Sequence, residues 1–146
     1  MTLLPRVVRL AVMATLDIGL HAGARPVSSK QLAARYDLPP RRLESLLQAL
    51  VRAGILKSVR GPQGGYELAR ERRRLTLAEI ARAALGAEGA EDEEFAQIEK
   101  ALGFVMDDVE IGLFERLEQA TLDDLAAQAI RQGYDKRADA GADFAI

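Results

Sequence analysis

Apolar residues recur at three- and four-residue spacing along most of this chain, and in one stretch the spacing drops to two. Val8, Ala11, Val12, Leu16 and Leu20 follow Pro5, which suits a first helical position, and predict a helix ending near His21-Ala22-Gly23. Ser28, with Gln31 three residues on, has the capping-box pattern and opens a short helix reaching Tyr36. Asp37-Leu38 make a turn, and Pro39-Pro40 start a third helix, since proline is tolerated in a first turn. Leu43, Leu46, Leu47 and Leu50 supply the buried stripe of that helix, while Arg41, Arg42, Glu44, Ser45 and Gln48 take the opposite face. Gly54 is the expected helix-ending residue.

The change of period comes next. Ile55, Leu56 and Val59 have extended character, and Tyr66 and Leu68 resume an alternating strand after Arg60-Gly61-Pro62-Gln63-Gly64-Gly65. This is a hairpin with a Gly/Pro turn and one long cation, Arg60, at its tip. Its glycines let backbone approach another surface closely. Two short helices joined by a tight turn and followed at once by such a hairpin predict a winged helix-turn-helix. In that motif the first residues of the second helix reach base edges in the major groove of double-stranded DNA. Arg60 would enter a minor groove or clamp a phosphate beside it. The candidate DNA-contacting set is Ser28, Arg41, Arg42, Glu44, Ser45, Gln48, Arg60, Gly61, Gln63 and Gly64. Glu44 has two readings: acceptor from a cytosine amino group, or intrahelical partner of Arg41 or Gln48.

Beyond the wing, Arg70, Arg72, Arg73 and Arg74 read either as a phosphate-contacting flank or as a solvated linker, and the linker reading is preferred. Thr76 and Glu79 form a second capping box, opening a helix with Leu77, Ile80, Ala81 and Ala84 apolar. The stretch GAEGAEDEE from Gly86 is small, acidic and self-repelling, as a connection would be. From Phe95 the helical period returns through Ile98, Leu102, Val105, Val109, Leu113 and Leu117, widened by Ala101, Phe104, Ile111 and Phe114. At about 1.5 Å per residue this helix runs ~33 Å, more than so small a domain needs, so its apolar face is expected to bury itself on a second copy. Thr121 restarts a short helix with Leu125, Ala129 and Ile130, and an Ala/Asp-rich end is expected to fray. The organisation predicted is a DNA-binding unit over 1–85, an acidic connection over 86–97, dimerisation and terminal helices over 98–133, and a tail over 134–146.

Charge sharpens this division. Met1–Leu75 holds 14 Lys/Arg against 5 Asp/Glu, net +9, and Thr76–Ile146 holds 6 against 17, net −11. A basic half suited to a polyanion is thus joined to an acidic half that is not. Nearly half the residues, 49%, are apolar, enough for an aliphatic core. With no cysteine in the chain, disulfides, thiol nucleophiles, zinc fingers and thiolate-held iron–sulfur clusters are excluded. His21 is the only histidine, and near a helix end it is expected to meet terminal carbonyls rather than act as a ligand. There is no phosphate-binding glycine loop, metal-ligand spacing or histidine–nucleophile pair, so no enzymatic activity, cofactor or metal is expected. Arg6, Arg9 and Asp17 break any signal-peptide pattern, and no apolar run is long enough to span a membrane, so a cytoplasmic protein without a membrane partner is expected.

The stretch Val59-Arg60-Gly61-Pro62-Gln63-Gly64-Gly65-Tyr66, together with Ala11 to Asp17, Leu43-Glu44 and Thr76 to Ile80, resembles the Rrf-two (BadM-like) family of winged-helix transcriptional regulators. The resemblance covers 1–85 well; beyond that only the architecture matches. It implies a mainly α fold with a small β-wing: a winged helix-turn-helix plus a long dimerisation helix, paired as a homodimer. It places Arg41, Glu44 and Ser45 at recognition-helix contact positions and Arg60 at the wing arginine. Leu10 stands where the family often has tyrosine, and Pro-Pro-Arg-Arg opens the third helix in place of small hydroxyl residues, which implies a different operator. Cluster-binding members carry three cysteines in the loop before the long helix, and this chain has none there. The function expected is a sequence-specific, homodimeric repressor on a palindromic operator. Its rival is a winged-helix module that binds protein instead of DNA. An effector, small molecule or protein, could sit between the fourth helix and the long one, though nothing from Gly86 to Gln97 specifies it.

Overall fold

The computed structural model describes residues 3–21, 23–87 and 93–134, and of 93–99 the backbone alone. The elements run α1 (Arg6–Leu20), α2 (Ser29–Tyr36), α3 (Pro40–Arg52), β1 (Leu56–Val59), β2 (Gly65–Leu68), α4 (Leu77–Leu85), α5 (Glu93–Glu118) and α6 (Leu122–Arg131), with a 3-10 turn at Arg72–Arg74. Local chemistry sets the boundaries. Ser28, Thr76 and Thr121 each accept the backbone N–H of the residue three further on, and Gln31, Glu79 and Asp124 reach back to the cap's own N–H. Pro5 and Pro39 occupy cap positions with extended ψ, so Pro5 lies one residue outside the helix it was expected to start. Gly54 ends α3 at φ +73°, where its N–H donates to Val51 O and the Ile55 N–H to Leu50 O at 3.0 Å each. This left-handed closure aims the chain straight into β1.

The core is aliphatic. Val8 and Ile18 of α1, Leu32 of α2, the four leucines of α3, Ile55, Leu56, Leu75, Ile80 and Leu122 are all buried in one cluster. The inward face of α1 is rotated from the predicted stripe: Ala14, Thr15, Asp17 and Ile18 are buried, while Val12 and Leu16 are half-buried. Contacts from α3, α4, α6 and β2 surround α1 and bury more of it than one stripe. The Thr15 hydroxyl is satisfied within the helix by Ala11 O at 2.7 Å.

The sheet pairs β1 and β2 antiparallel, Leu56 opposite Leu68 and Val59 opposite Gly65. Val27, just ahead of the α2 cap, adds a bridge to Tyr66: Val27 N–H to Tyr66 O at 3.0 Å and Tyr66 N–H to Val27 O at 2.8 Å. The wing is therefore rooted on the helix-turn-helix.

α5 starts at Glu93, inside the stretch 86–97 assigned from sequence to a connection. Acidic residues suit a helix N-terminus, where the dipole is positive, and Glu and Ala are good helix formers. Its 26 residues span about 39 Å at about 1.5 Å each. Its last turns rest on the body: Phe114 and Leu117 pack against the core, and Arg82 lies 5.0 Å over the Phe114 ring and pairs with Glu118 at 2.7 Å. α6 then returns to the winged helix, with the Leu122 N–H on Leu75 O at 2.8 Å and the Leu77 N–H on Ala120 O at 2.9 Å. Leu122 and Ala126, not Ile130, are its buried residues. The tail expected to fray over 134–146 is fixed at its first residue, Tyr134, and its remainder lies outside the described residues.

Candidate nucleic-acid interface

α3 has a sharp division. Leu43, Leu46, Leu47 and Leu50 are at most 4% exposed, whereas Arg41, Arg42, Glu44, Ser45 and Gln48 are all exposed. Pro39 and Pro40 begin the helix without spending a side chain on the cap, so its first turn presents Arg41 and Arg42 outward. The Ser45 hydroxyl donates to Arg41 O at 3.2 Å, and the Gln48 amide donates to the Tyr66 hydroxyl at 3.3 Å, tying α3 to the wing. Among the described residues, the side chains of Arg41, Arg42 and Glu44 make no hydrogen bond or ion pair, so Glu44 lacks the intrahelical partner that was one of its two readings. Ser28 stands apart from that face: its oxygen accepts the Gln31 N–H at 3.1 Å, and its backbone lies beside Gly65 at the wing root.

Two glycines bring the wing this close. A Cβ on Gly64 would lie 2.3 Å from Val59 O, and one on Gly65 would lie 2.6 Å from the Val27 carbonyl. Gly61, at φ +121°, begins a turn that closes when the Gly64 N–H donates to Gly61 O at 2.9 Å. Arg60, Gly61 and Gln63 are exposed at the tip, and Gly64 is half-buried beneath them. Arg60, like Arg41 and Arg42, has no partner among the described residues. Cross-strand Lys57 is paired with Glu67 at 3.3 Å.

The arginines after the wing differ. Arg70 pairs with Glu79 at 2.8 Å, Arg72 with Asp123 at 3.3 Å and Arg73 with Glu71 at 2.6 Å. Arg70 and Arg72 thus fasten the segment after the wing to α4 and α6, while Arg73 pairs within the segment itself. Burial opposes the charge of Glu79, but the Thr76 N–H and the Arg70 guanidinium together hold its carboxyl below the ordinary range. Asp124 is likewise lowered by the Thr121 N–H and hydroxyl. Arg41, Arg42 and Arg60 thus stand unpartnered among the described residues on α3 and the wing tip, while Arg70 and Arg72 brace the scaffold.

Of the residues expected in dimerisation, Leu102, Val105 and Val109 are 53–66% exposed, and Leu113 and Leu117 are half-buried, the last on its own core. The Ile98 side chain lies outside the described residues. Met106, at 49%, joins this face, while Phe104 at 93% and Ile111 at 58% project from the opposite side. A shallow groove of about 420 Å³ between α4 and α5, lined by Arg82, Leu85, Glu110, Ile111 and Phe114, lies where an effector was expected. Sequence reasoning missed Val27 and Tyr66 as the wing's anchors. The signal was an apolar residue next to a helix cap and an aromatic next to two glycines.

The model of the Rrf2 family, described as iron-dependent transcriptional regulators, matches residues 4–128. A putative HTH-type transcriptional regulator of Azotobacter vinelandii is 42% identical over 72 residues, 49% of this chain and 44% of that protein. The putative HTH-type regulator BadM of Rhodopseudomonas palustris is 46% identical over 56 residues, 38% of this chain and 36% of that protein. The chain spans about half or less of the length of such curated relatives. Among solved structures, T. potens IscR matches with a TM-score of 0.69 at 34% identity, covering 88% of each chain. CymR, the global cysteine regulator of B. subtilis, matches at 0.65 and 32%, covering 88% of this chain and 98% of its own. These relatives are transcriptional regulators, not enzymes.

Iron dependence would make a demand on the donor set. The chain has no cysteine, and no three His, Asp or Glu side chains among the described residues gather into a group able to hold a metal ion. The buried carboxylate of Asp17 is taken by Arg35 and Tyr36. These residues do not fit a thiolate-held cluster. The wing, the helix-turn-helix and the long helix, matched together over 4–128, place this chain in the Rrf2 family of transcriptional regulators.

Proposed function

We propose that the chain is a homodimeric, sequence-specific repressor that binds a palindromic operator in the cytoplasm and does so without an iron–sulfur cluster. The observation that carries this reading is the placing of three exposed cations. Arg41, Arg42 and Arg60 are exposed, without partners among the described residues, on the two elements that meet DNA in a winged helix, while Arg70 and Arg72 nearby are held by Glu79 and Asp123. Arg41, Glu44 and Ser45 read base edges, with Arg42 and Gln48 beside them. Arg60 reads groove width, with Gly61, Gln63 and Gly64 shaping the tip and Ser28 near the backbone. Residues 1–85 form the DNA-reading unit, 86–97 connect it, and α5 pairs two copies through Leu102, Val105, Val109 and Leu113, with Ile98 and Leu117 at the ends. Two-fold pairing presents two recognition helices to two half-sites, and a dimer so seated on a promoter blocks transcription.

The test is fluorescence anisotropy on labelled duplexes selected from a random pool by the chain itself, against scrambled duplexes, over a series of salt concentrations. Selective binding whose log affinity falls linearly with log salt is expected. Arg60→Ala should weaken it by about 1–3 kcal/mol. A failed selection, with no binding even at low salt, sinks the DNA reading in favour of a protein-binding winged helix.

A further inference from the structure

Asp17 is fully buried in the last turn of α1, an acid where the apolar face would take a hydrocarbon. A buried carboxylate is tolerated only when charge and lone pairs are met. Here Arg35 Nη1 donates to Oδ1 at 2.5 Å, the Tyr36 hydroxyl donates to Oδ2 at 2.7 Å, and His21 Nδ1 lies 3.1 Å from Oδ1. Arg35 and Tyr36 are the last two residues of α2. Directly after them Asp37, at φ +49°, makes the turn that launches α3.

Tyr36 has one hydroxyl proton, and Asp17 receives it. The second bond of that hydroxyl, to the Tyr134 hydroxyl at 3.0 Å, must therefore run from Tyr134 as donor to Tyr36 as acceptor. Burial first, and the bonds to Tyr134 and Asp17 after it, push the Tyr36 phenol well above its ordinary value, so the proton stays and the direction holds. Tyr134 is itself set by the end of α6. Gly133, at φ +90°, gives its N–H to Ile130 O at 3.0 Å, and the Tyr134 N–H donates to Ala129 O at 2.9 Å. α6 in turn follows α5 directly and is bonded to Leu75.

We propose that the chain Tyr134 → Tyr36 → Asp17 positions the helix-turn-helix for DNA: it fixes the angle between the α2–α3 pair and the α5–α6 arm, and with it the separation of the two recognition helices in the dimer. The inference rests on the dimeric DNA-binding reading above. One half-site needs only α3 and the wing, whereas the hydrogen bonds described for Tyr134 run to Tyr36 of α2 and Ala129 of α6. Two half-sites also need the correct separation. Tyr134 is a positioning residue, and its loss should be felt only where separation matters.

Tyr134→Phe removes one hydroxyl from a side chain that is already 37% exposed, and so spares the fold. Affinity for the selected two-half-site duplex should fall by roughly 3- to 10-fold, the scale of one lost hydrogen bond, and by less than about twofold when one half-site is scrambled. In parallel, hydrogen exchange without DNA should quicken by roughly 3- to 10-fold at the amides of Asp37 and Leu38, which bond Ala33 O, and of Leu43, which bonds Pro39 O, while α1 and α4 keep their rates. Equal losses on both duplexes, or quickened exchange across the whole unit, would mark a plain stability effect and overturn the proposal, as would unchanged exchange at the turn. If the wild-type chain selects no duplex, the DNA reading fails and the positioning role with it, and the exchange measurement alone decides whether Tyr134 holds the turn.

Discussion

α3 and α5 both carry leucine-rich stripes at helical spacing, and the two stripes meet opposite fates. α3 closes on its own chain: Leu47 and Leu50 are fully buried, and the polar face is left outside. α5 keeps its charged residues outside as well, yet Leu102, Val105 and Val109 remain more than half exposed. Periodicity identifies the apolar face of a helix. Whether the same chain covers that face depends on length and connection. Thirteen residues between a turn and a wing lie across the core, whereas a 26-residue helix whose core contacts among the described residues are Phe114 and Leu117, near its C-terminus, runs past it. Contiguous apolar surface of this kind marks an interaction site.

The comparison breaks most visibly in the closed helix. Leu47→Ala should cost about 2–5 kcal/mol in denaturant unfolding, because a fully buried leucine leaves a cavity that tight neighbours cannot fill. The loss should be the same at any protein concentration. A loss under about 1 kcal/mol would mean that α3 is not the packed element described.

The open helix should respond in the other currency, association. Val105→Glu puts a charge in the middle of the exposed stripe, and analytical ultracentrifugation should show the dissociation constant of the proposed dimer raised by at least ~100-fold. Unfolding of the separated chains should change by no more than about 0.5 kcal/mol, the scale of a surface substitution. A variant that sediments as the parent dimer would place the interface elsewhere, with Phe104 and Ile111 as the next face to examine.

Where sequence and structure agree, the information is local. The pairs Ser28–Gln31 and Thr76–Glu79 each place a cap and its reciprocal partner within one turn, and Gly54 permits a backbone angle that other residues resist. The wing was legible because Gly61, Gly64 and Gly65 cluster around one proline. What stayed hidden depends on contacts distant in sequence. Asp17 reads as an interruption of an apolar stripe until Arg35 and Tyr36 arrive from α2. The arginines from 70 to 74 read as a basic run until Glu79 and Asp123 neutralise two of them. α6 reads as a short terminal helix with Leu125, Ala129 and Ile130 apolar until Leu122 enters the core. The N-terminus of α5 was placed late because an acidic run repels itself as coil but is stabilised at a helix start.

The finest test uses one substitution with opposite signs in the two regions. In the wing, the alanine methyl of Gly65→Ala would lie 2.6 Å from the Val27 carbonyl, and backbone cannot swing aside as a long side chain does. The Val27–Tyr66 bridge must open, at a cost of about 1–3 kcal/mol, and DNA affinity should weaken as Arg60 loses its seat. In α5, Gly112 has nothing within 4 Å of an added Cβ. Gly112→Ala should therefore raise helix stability by about 0.5–1 kcal/mol, through the backbone freedom that glycine loses on folding. The gain should be measured below the dimerisation concentration, where no second copy approaches. Gly112 lies seven residues after Val105 and so on the same side of the helix. Repeating the melt at high concentration then reports on the partner: if the methyl's benefit persists there, the two helices stay apart at that level, and if it reverses, they cross within contact of Gly112.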